Sequence, residues 1–404
     1  MAQQETERIA AIYADGWSRI VATLIRLTGG DWDLAEECAQ DAFAQALHKW
    51  PDSGVPDQPL AWLTTTARNR AIDVIRRAAT EAKKLREVAA MEPEPVPAKD
   101  SEIPDDRLEL IFTCCHPSLN VEAQVVLTLR SLAGMQTAEI ARAFLVSERT
   151  MGQRLFRAKQ KVKNAAIPFR VPPAHLLPER MPAVLHVLYL LFNAGYGDLS
   201  RPRVTDEAIR LARVLAGLMP DEPEAQGLLA LMLLHEARRA ARTNTEGDLI
   251  PLEEQDRRLW DRSQIAEGEG LLERALRRGR AGPFQIQAAI AACHATVSDA
   301  AQTDWPQIAG LYEQLQRLTP TPVVALNRAV AMGMAEGPEA ALPLLDELAK
   351  GGALDDYYLL PATRADLLRR LGRVKEARAS YEAALGQAPT EAERRYLCRR
   401  LAEL

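Results

Sequence analysis

The chain has 404 residues, more than one hydrophobic core ordinarily organises, so two or three domains are expected. Hydrophobic residues at 47% and charged residues at 26% are ordinary for a globular protein, and a net charge of −5 excludes wholesale binding to nucleic acid, so any DNA contact must come from locally concentrated charge. The longest apolar runs, Val187 to Phe192 and Leu228 to Leu234, are too short to span a bilayer, Glu5 and Glu7 do not suit a signal peptide, and five scattered cysteines make no disulfide framework; a reducing cytoplasm fits.

Ala, Leu, Glu and Arg recur throughout while alternating Val, Ile, Thr and aromatics are nearly absent, which predicts an all-α fold. Helical periodicity covers the chain to about Thr80. Within it Asp31, Asp33, Glu36, Glu37 and Asp41 are opposed only by Lys49, and such an acidic helix should meet solvent or a basic protein surface. The sign then reverses: Arg68, Arg70, Arg76 and Arg77 outweigh Asp73 between Trp62 and Arg77. On a helix Leu63, Ala67, Ala71 and Val74 can face a core while Asn69, Arg76 and Arg77 stay available to nucleic acid. Arginine and asparagine suit single-stranded bases, which expose their hydrogen-bonding edges. Trp62 fits a core position better than a stacking platform.

From Glu92 to Ala98 the alternation of Glu and Pro cannot continue a helix, so 81–105 reads as a linker. A second helical unit, 106–167, ends at Pro168, Pro172, Pro173 and Pro178. Near its start Cys114 and Cys115 are adjacent, and on a helix they would point about 100° apart with no second Cys/His pair close in sequence. Buried packing against the repeats or a neighbouring helix is the expectation for them, and no metal site is assigned to Cys114, Cys115 and His116 or to His235 and His294, each alone on a mostly apolar helix.

The sharpest local pattern runs from Thr137 to Lys159. Thr137 can cap a short helix with Ile140, Ala141 and Phe144 on its apolar face; Leu145 and Val146 turn the chain, and Ser147 caps the next helix. This is a helix-turn-helix, whose second helix ordinarily enters the major groove. That helix carries Arg149, Arg154, Arg157, Lys159, Lys161 and Lys163 against the single acid Glu148, a local excess of the kind phosphate neutralisation needs. Met151, Leu155 and Ala158 form its buried seam, while Arg149 and Gln153 are placed to bond purine edges in bidentate fashion.

Beyond the prolines, 175–404 is a series of amphipathic helices. Ala329, Ala341, Leu345 and Leu348 recur 36 positions later as Ala365, Ala377, Tyr381 and Ala384, a period that suggests stacked helix pairs and resembles tetratricopeptide repeats, with Pro389 at the closing proline. Upstream the match weakens to Ala208, Ala212, Leu215 and Pro220, and an irregular helical domain with one duplicated hairpin remains an alternative.

In order, these segments resemble bacterial sigma factors of the extracytoplasmic-function type, over about residues 10 to 165. Asp31-Trp-Asp-Leu-Ala-Glu-Glu-Cys-Ala-Gln-Asp-Ala-Phe is similar to the helix that grips the clamp of the polymerase largest subunit. Trp62-Leu, Ala67-Arg-Asn-Arg-Ala-Ile-Asp and Arg76-Arg resemble the segment that captures the unpaired −10 element, and Glu139-Ile-Ala with Thr150 to Lys159 resembles the −35 reader. Carried over residue by residue, the resemblance implies polymerase contact at Glu37, Gln40 and Asp41. It implies DNA contact at Asn69, Arg76 and Arg77 for the melted strand, and at Arg149, Gln153, Arg154 and Arg157 for the −35 groove. Gly152 departs from the family pattern, where a basic or polar residue is frequent. Phe112-Thr-Cys-Cys-His-Pro and the helical extension resemble the subgroup with a tetratricopeptide-like C-terminal domain that modulates activity. The implied protein is a cytoplasmic sigma factor without cofactor or catalytic activity. Its partners are core RNA polymerase (clamp and flap), promoter DNA, and either its own DNA-binding half or another protein at the repeats. No phosphate-binding glycine loop or nucleophile elbow is visible. The residues alone leave open a helix-turn-helix regulator that acts outside the holoenzyme, and a repeat scaffold with incidental basic helices.

Overall fold

A computed structural model describes residues 2–86, 106–144, 146–196 and 202–404. Among these residues every regular element is helical apart from one isolated antiparallel bridge, Thr243 to Leu249, as the composition predicts. The chain divides into two compact units, Met1–Leu211 and Ala212–Leu404.

The first unit opens with three mutually packed helices: α1 (Ala2–Leu27), α2 (Trp32–Ser53) and α3 (Pro59–Arg86). Asp31 caps α2 by accepting the amide of Leu34 at 3.1 Å, and Gly54, at φ 79°, closes it. Trp17, Leu24, Ala39, Phe43, Leu63 and Ala67 are buried between these helices, with the rings of Tyr13, Trp17 and Phe43 in mutual contact. Leu63, Ala67 and Ala71 take the core face expected of them, and Val74 is half-buried. Trp62 is also half-buried, its ring edge-on to that of Trp50 at 5.5 Å. Helix α3 continues past residue 80 to Arg86, and the Glu-Pro stretch from Glu92 to Ala98 lies outside the described residues.

Four shorter helices follow: α4 (Arg107–Cys114), α5 (Val121–Leu127), α6 (Thr137–Ala143) and α7 (Glu148–Asn164). Helix α5 runs into a single π turn, Thr128–Leu132, in which every residue is buried. Cys114 and Cys115 are buried, the Cys115 thiol 3.9 Å from the Thr128 hydroxyl, so they pack against the neighbouring turn. Burial pushes the Cys115 thiol up to about 12 and that of Cys114 well above the ordinary range. Next come α8 (Leu177–Tyr196), which packs on α4 and α5, and α9 (Pro202–Leu218). From α8, Arg180 meets the His116 ring at 2.8 Å; from α9, Arg210 donates to the carbonyl of Leu132 at 2.9 Å.

The second unit is a stack of hairpins: α10 (Pro223–Glu236) with α11 (Arg262–Leu276), α12 (Pro283–Ala295) with α13 (Trp305–Leu318), α14 (Pro322–Glu336) with α15 (Pro338–Lys350), and α16 (Leu359–Arg370) with α17 (Val374–Gln387), closed by α18 (Glu391–Ala402). Proline begins α10, α12, α14 and α15, where its missing amide proton costs nothing. First helices stack on first helices, α10 on α12 and α14 on α16, a tetratricopeptide-like arrangement. The residues that carry the 36-residue period occupy equivalent positions: Ala329, Ala341 and Leu345 in one hairpin, and Ala365, Ala377 and Tyr381 in the next, are all buried. The period fades upstream because a long connection separates α10 from α11.

That connection is a strap. Glu253 takes the Arg370 guanidinium on both oxygens at 3.0 Å, Glu254 pairs with Arg400, and the carbonyl of Leu249 accepts from Arg399 at 3.2 Å. Behind it a cavity of about 180 Å³ is lined by Glu253, Arg257, His294, Trp305, Arg370 and Tyr396, among others. Arg257, stacked over Trp260 at 4.4 Å, donates to the carbonyls of His294 and Val297 at the C-terminal end of α12. The two histidines are not isolated from one another as their separate helices suggest. Burial comes first and the charges of Arg238 and others next; together they hold His235 down to about 3 and His294 to about 4, with His294 adding to the effect on His235.

Candidate nucleic-acid interface

Helix α6 begins one residue earlier than a Thr137 cap would place it. Gln136 is the cap, because Glu139 reaches back to accept its amide at 2.9 Å, which leaves Thr137 as the first helical residue. Ser147 caps α7 as expected, accepting the amide of Thr150 at 3.1 Å. Met151, Leu155, Ala158 and Val162 form the buried seam against α5 and α6. Leu145, expected in the turn, lies outside the described residues.

With the seam fixed, helical geometry decides the outer face. Arg149, Gln153 and Arg157, four residues apart, form one exposed stripe, and Phe156 beside them is 60% exposed. Arg154 sits to the side and pairs with Glu122 of α5. Lys159 points the other way: its ammonium bonds Asp33 of α2 at 2.8 Å and Glu36 at 3.2 Å. The basic excess of α7 is thus divided between an outward stripe and an inward contact.

On α2 the acidic residues separate in the same fashion. Glu37 and Gln40 are exposed, Asp41 is half-exposed and accepts from Arg70 of α3 at 2.9 Å, and Leu47 continues this face at 52% exposure. Asp31 is a cap, and Asp33 and Glu36 face α7 and the π turn. Asn69, Arg76 and Arg77 on α3 are all exposed, and their spacing of seven and eight residues puts them on one face.

Comparison with known proteins decides what this arrangement belongs to. The family model Sigma-70 region 2 matches residues 16–81, Sigma-70 region 4 matches 109–162, and a family of unknown function (DUF6596) matches 180–276. The probable ECF RNA polymerase sigma factor SigI of Mycobacterium tuberculosis is 26% identical over 150 residues, 36% of this chain and 51% of that protein. ECF RNA polymerase sigma factor SigK of Mycobacterium sp. is 24% identical over 170 residues, 41% of this chain and 86% of that protein. The chain carries sigma-70 region 2 and region 4 domains and is similar to the extracytoplasmic-function sigma factors. An uncharacterized protein of Rhizobium meliloti is 44% identical over 383 residues, 90% of this chain and 88% of its relative, so the extension is shared with that relative. The crystal structure of the yeast Tom70 aligns at TM-score 0.37 and 12% identity, covering 100% of this chain and 85% of that one, too low a score to argue from.

Helices α1–α3 correspond to region 2 and α4–α7 to region 4. Among the described residues no helix is long and apolar enough to cross a membrane. Sequence reasoning missed Phe156 and Leu47, although an apolar residue on an otherwise polar stripe is a readable signal. It also missed the inward role of Asp33, Glu36, Arg130 and Lys159, which pair across more than ninety positions and leave no local pattern.

Proposed function

We propose that this protein is a sigma factor that binds core RNA polymerase and directs it to a class of promoters in the cytoplasm, acting by binding rather than catalysis and without a cofactor. Glu37, Gln40 and Asp41 meet the clamp of the largest subunit, region 4 meets the flap, Asn69, Arg76 and Arg77 hold the melted −10 strand, and Arg149, Gln153, Arg154 and Arg157 read the −35 duplex. The functional modules are 1–80, the linker 81–105, 106–167, and a repeat module 175–404 that controls how region 4 is presented, through contact within the chain or with a partner protein. The observation that carries this reading is the outward stripe Arg149, Gln153 and Arg157 on a capped second helix, in one chain with the outward acidic face of α2. The test is run-off transcription from genomic fragments with core polymerase and the full chain. Specific transcripts are expected, and Glu37→Lys with Asp41→Lys should abolish them together with co-purification of core polymerase, while helical content is kept. DNA binding with no transcript and no polymerase association would instead favour a regulator outside the holoenzyme.

A further inference from the structure

The strap of the second unit closes over charge as well as space. Three guanidinium groups, those of Arg257, Arg370 and Arg400, line the cavity of about 180 Å³ behind it, against two carboxylates, Glu253 and Asp366. Arg370 is neutralised twice, by Glu253 on both oxygens at 3.0 Å and by Asp366 at 2.7 Å, and Arg400 pairs with Glu254 and with Glu403 at 2.9 Å. Arg257 is different. It is 7% exposed, and its guanidinium donates to the carbonyls of His294 and Val297 and lies over the Trp260 ring. Among the described residues no carboxylate stands within ion-pair distance of it, and Asp299 acts on it only from farther away. A buried charge is costly unless it is paired. The two carbonyl dipoles offset part of that cost at Arg257, and an anion in the cavity would offset more.

The rest of the wall suits an organic body rather than a bare ion. Leu252, Ala300 and the side chains of Trp305 and Tyr396 line the same space. His294, edge-on to Trp305 at 5.2 Å, is kept neutral, by burial first and by Arg238 and Arg257 next, so its ring carries one donor and one acceptor. A cavity of roughly 150 Å³ is enough for benzene. A planar guanidinium matches a carboxylate in shape as well as in charge, and Arg370 already holds one beside the cavity, that of Glu253.

We propose that this cavity is a binding site for a small aromatic carboxylate, whose acid group serves as the missing counter-ion of Arg257 and whose ring lies among Leu252, Trp305 and Tyr396. The strap is then wall and competitor at once, because the Glu253 carboxylate occupies a guanidinium that the ligand's acid group would otherwise reach. Such a site is independent of whether the chain directs polymerase, and binding to it is read on the full chain alone.

The probes are benzoate, para-hydroxybenzoate and phenylacetate, titrated calorimetrically into the full chain, with benzamide as an uncharged analogue and inorganic phosphate as a bare anion. At least one of the three acids should bind saturably with a dissociation constant of about 1 mM or below, and benzamide about tenfold more weakly or not at all. Phosphate at the same concentration should not displace the acid. Ala300→Phe fills the cavity while keeping every charge, and should weaken binding about tenfold or more at unchanged helical content. Glu253→Gln frees the Arg370 guanidinium and should strengthen binding several-fold, a gain that a misfolded chain does not give. No saturable binding of any of the three acids, equal affinity for acid and amide, displacement by phosphate, or wild-type binding by Ala300→Phe would each overturn the site. Unchanged or weaker binding by Glu253→Gln would overturn the competition between strap and ligand.

Discussion

Arg157 and Gln153 share one exposed stripe but should fail differently when truncated. Arg157→Ala should weaken binding to every promoter alike and lower the slope of log affinity against log salt by about 0.9, one phosphate contact. Gln153→Ala should relax preference at a single −35 position by roughly 1–3 kcal/mol, the value of a bidentate base contact; competition among single-base variants of the site separates the two. A second residue-scale expectation concerns His235 and His294. Their folded values, about 3 and about 4, lie below the ordinary imidazole value, so folding favours the neutral rings. Stability from this source is complete above about pH 6.5 and is lost as the pH falls through the window down to the folded values, because the unfolded chain takes up protons that the folded chain refuses. Between pH 7 and 5 the loss is of the order of 2 kcal/mol per ring. His235→Asn with His294→Gln should flatten the melting temperature over that range, and an unchanged slope would show that other groups set it.

At the scale of elements, α7 carries a weakness the sequence reveals and the structure allows to be repaired. Gly152 has open space where a Cβ would stand, so Gly152→Ala should raise helix stability by about 1 kcal/mol, read as a higher denaturant midpoint with unchanged promoter choice. A fall or no change in the midpoint would show that helix propensity at this position does not limit stability. Helix α7 was legible in advance because its cap, seam and outer stripe are all set by neighbours within a few residues: Ser147, then Met151, Leu155 and Ala158. Helix α2 was legible only in half. Its acids were expected to meet solvent or a basic protein surface, and they do both, but which acid does which depends on Arg130 and Lys159, far along the chain. Composition cannot assign a face when the partner is folded in from elsewhere.

For the whole molecule, the proline-rich break at Pro168 to Pro178 marks a change of composition but not the edge of a packing unit, since α8 lies on α4 and α5 with Met181, Val184, Leu185 and Leu188 buried. A chain ended after Arg170 should therefore melt lower and aggregate more readily than one ended after Tyr196, because removing α8 uncovers apolar surface. The longer fragment should bind promoter with a rate or salt response different from that of the full chain if the repeats act in cis. Identical transcription by fragment and full chain would point to an external partner for the repeats. The hairpin stack itself was visible from Ala329 to Ala384, where hairpins follow one another directly, and invisible where the strap interrupts the period.

The strap also changes how such a stack can come apart. An array in which each hairpin touches only its neighbours frays from its ends, one repeat at a time. Here Glu253 and Glu254, between the first two helices of the stack, are bonded to Arg370 and Arg400 in its last hairpin and closing helix, 117 and 146 positions away. The last helices cannot peel off without releasing the first connection, so the C-terminal unit behaves less as a spring of separable coils than as a buckled belt. It is expected to open more cooperatively than an unstrapped array, and to close at the added entropic cost of drawing a long loop shut.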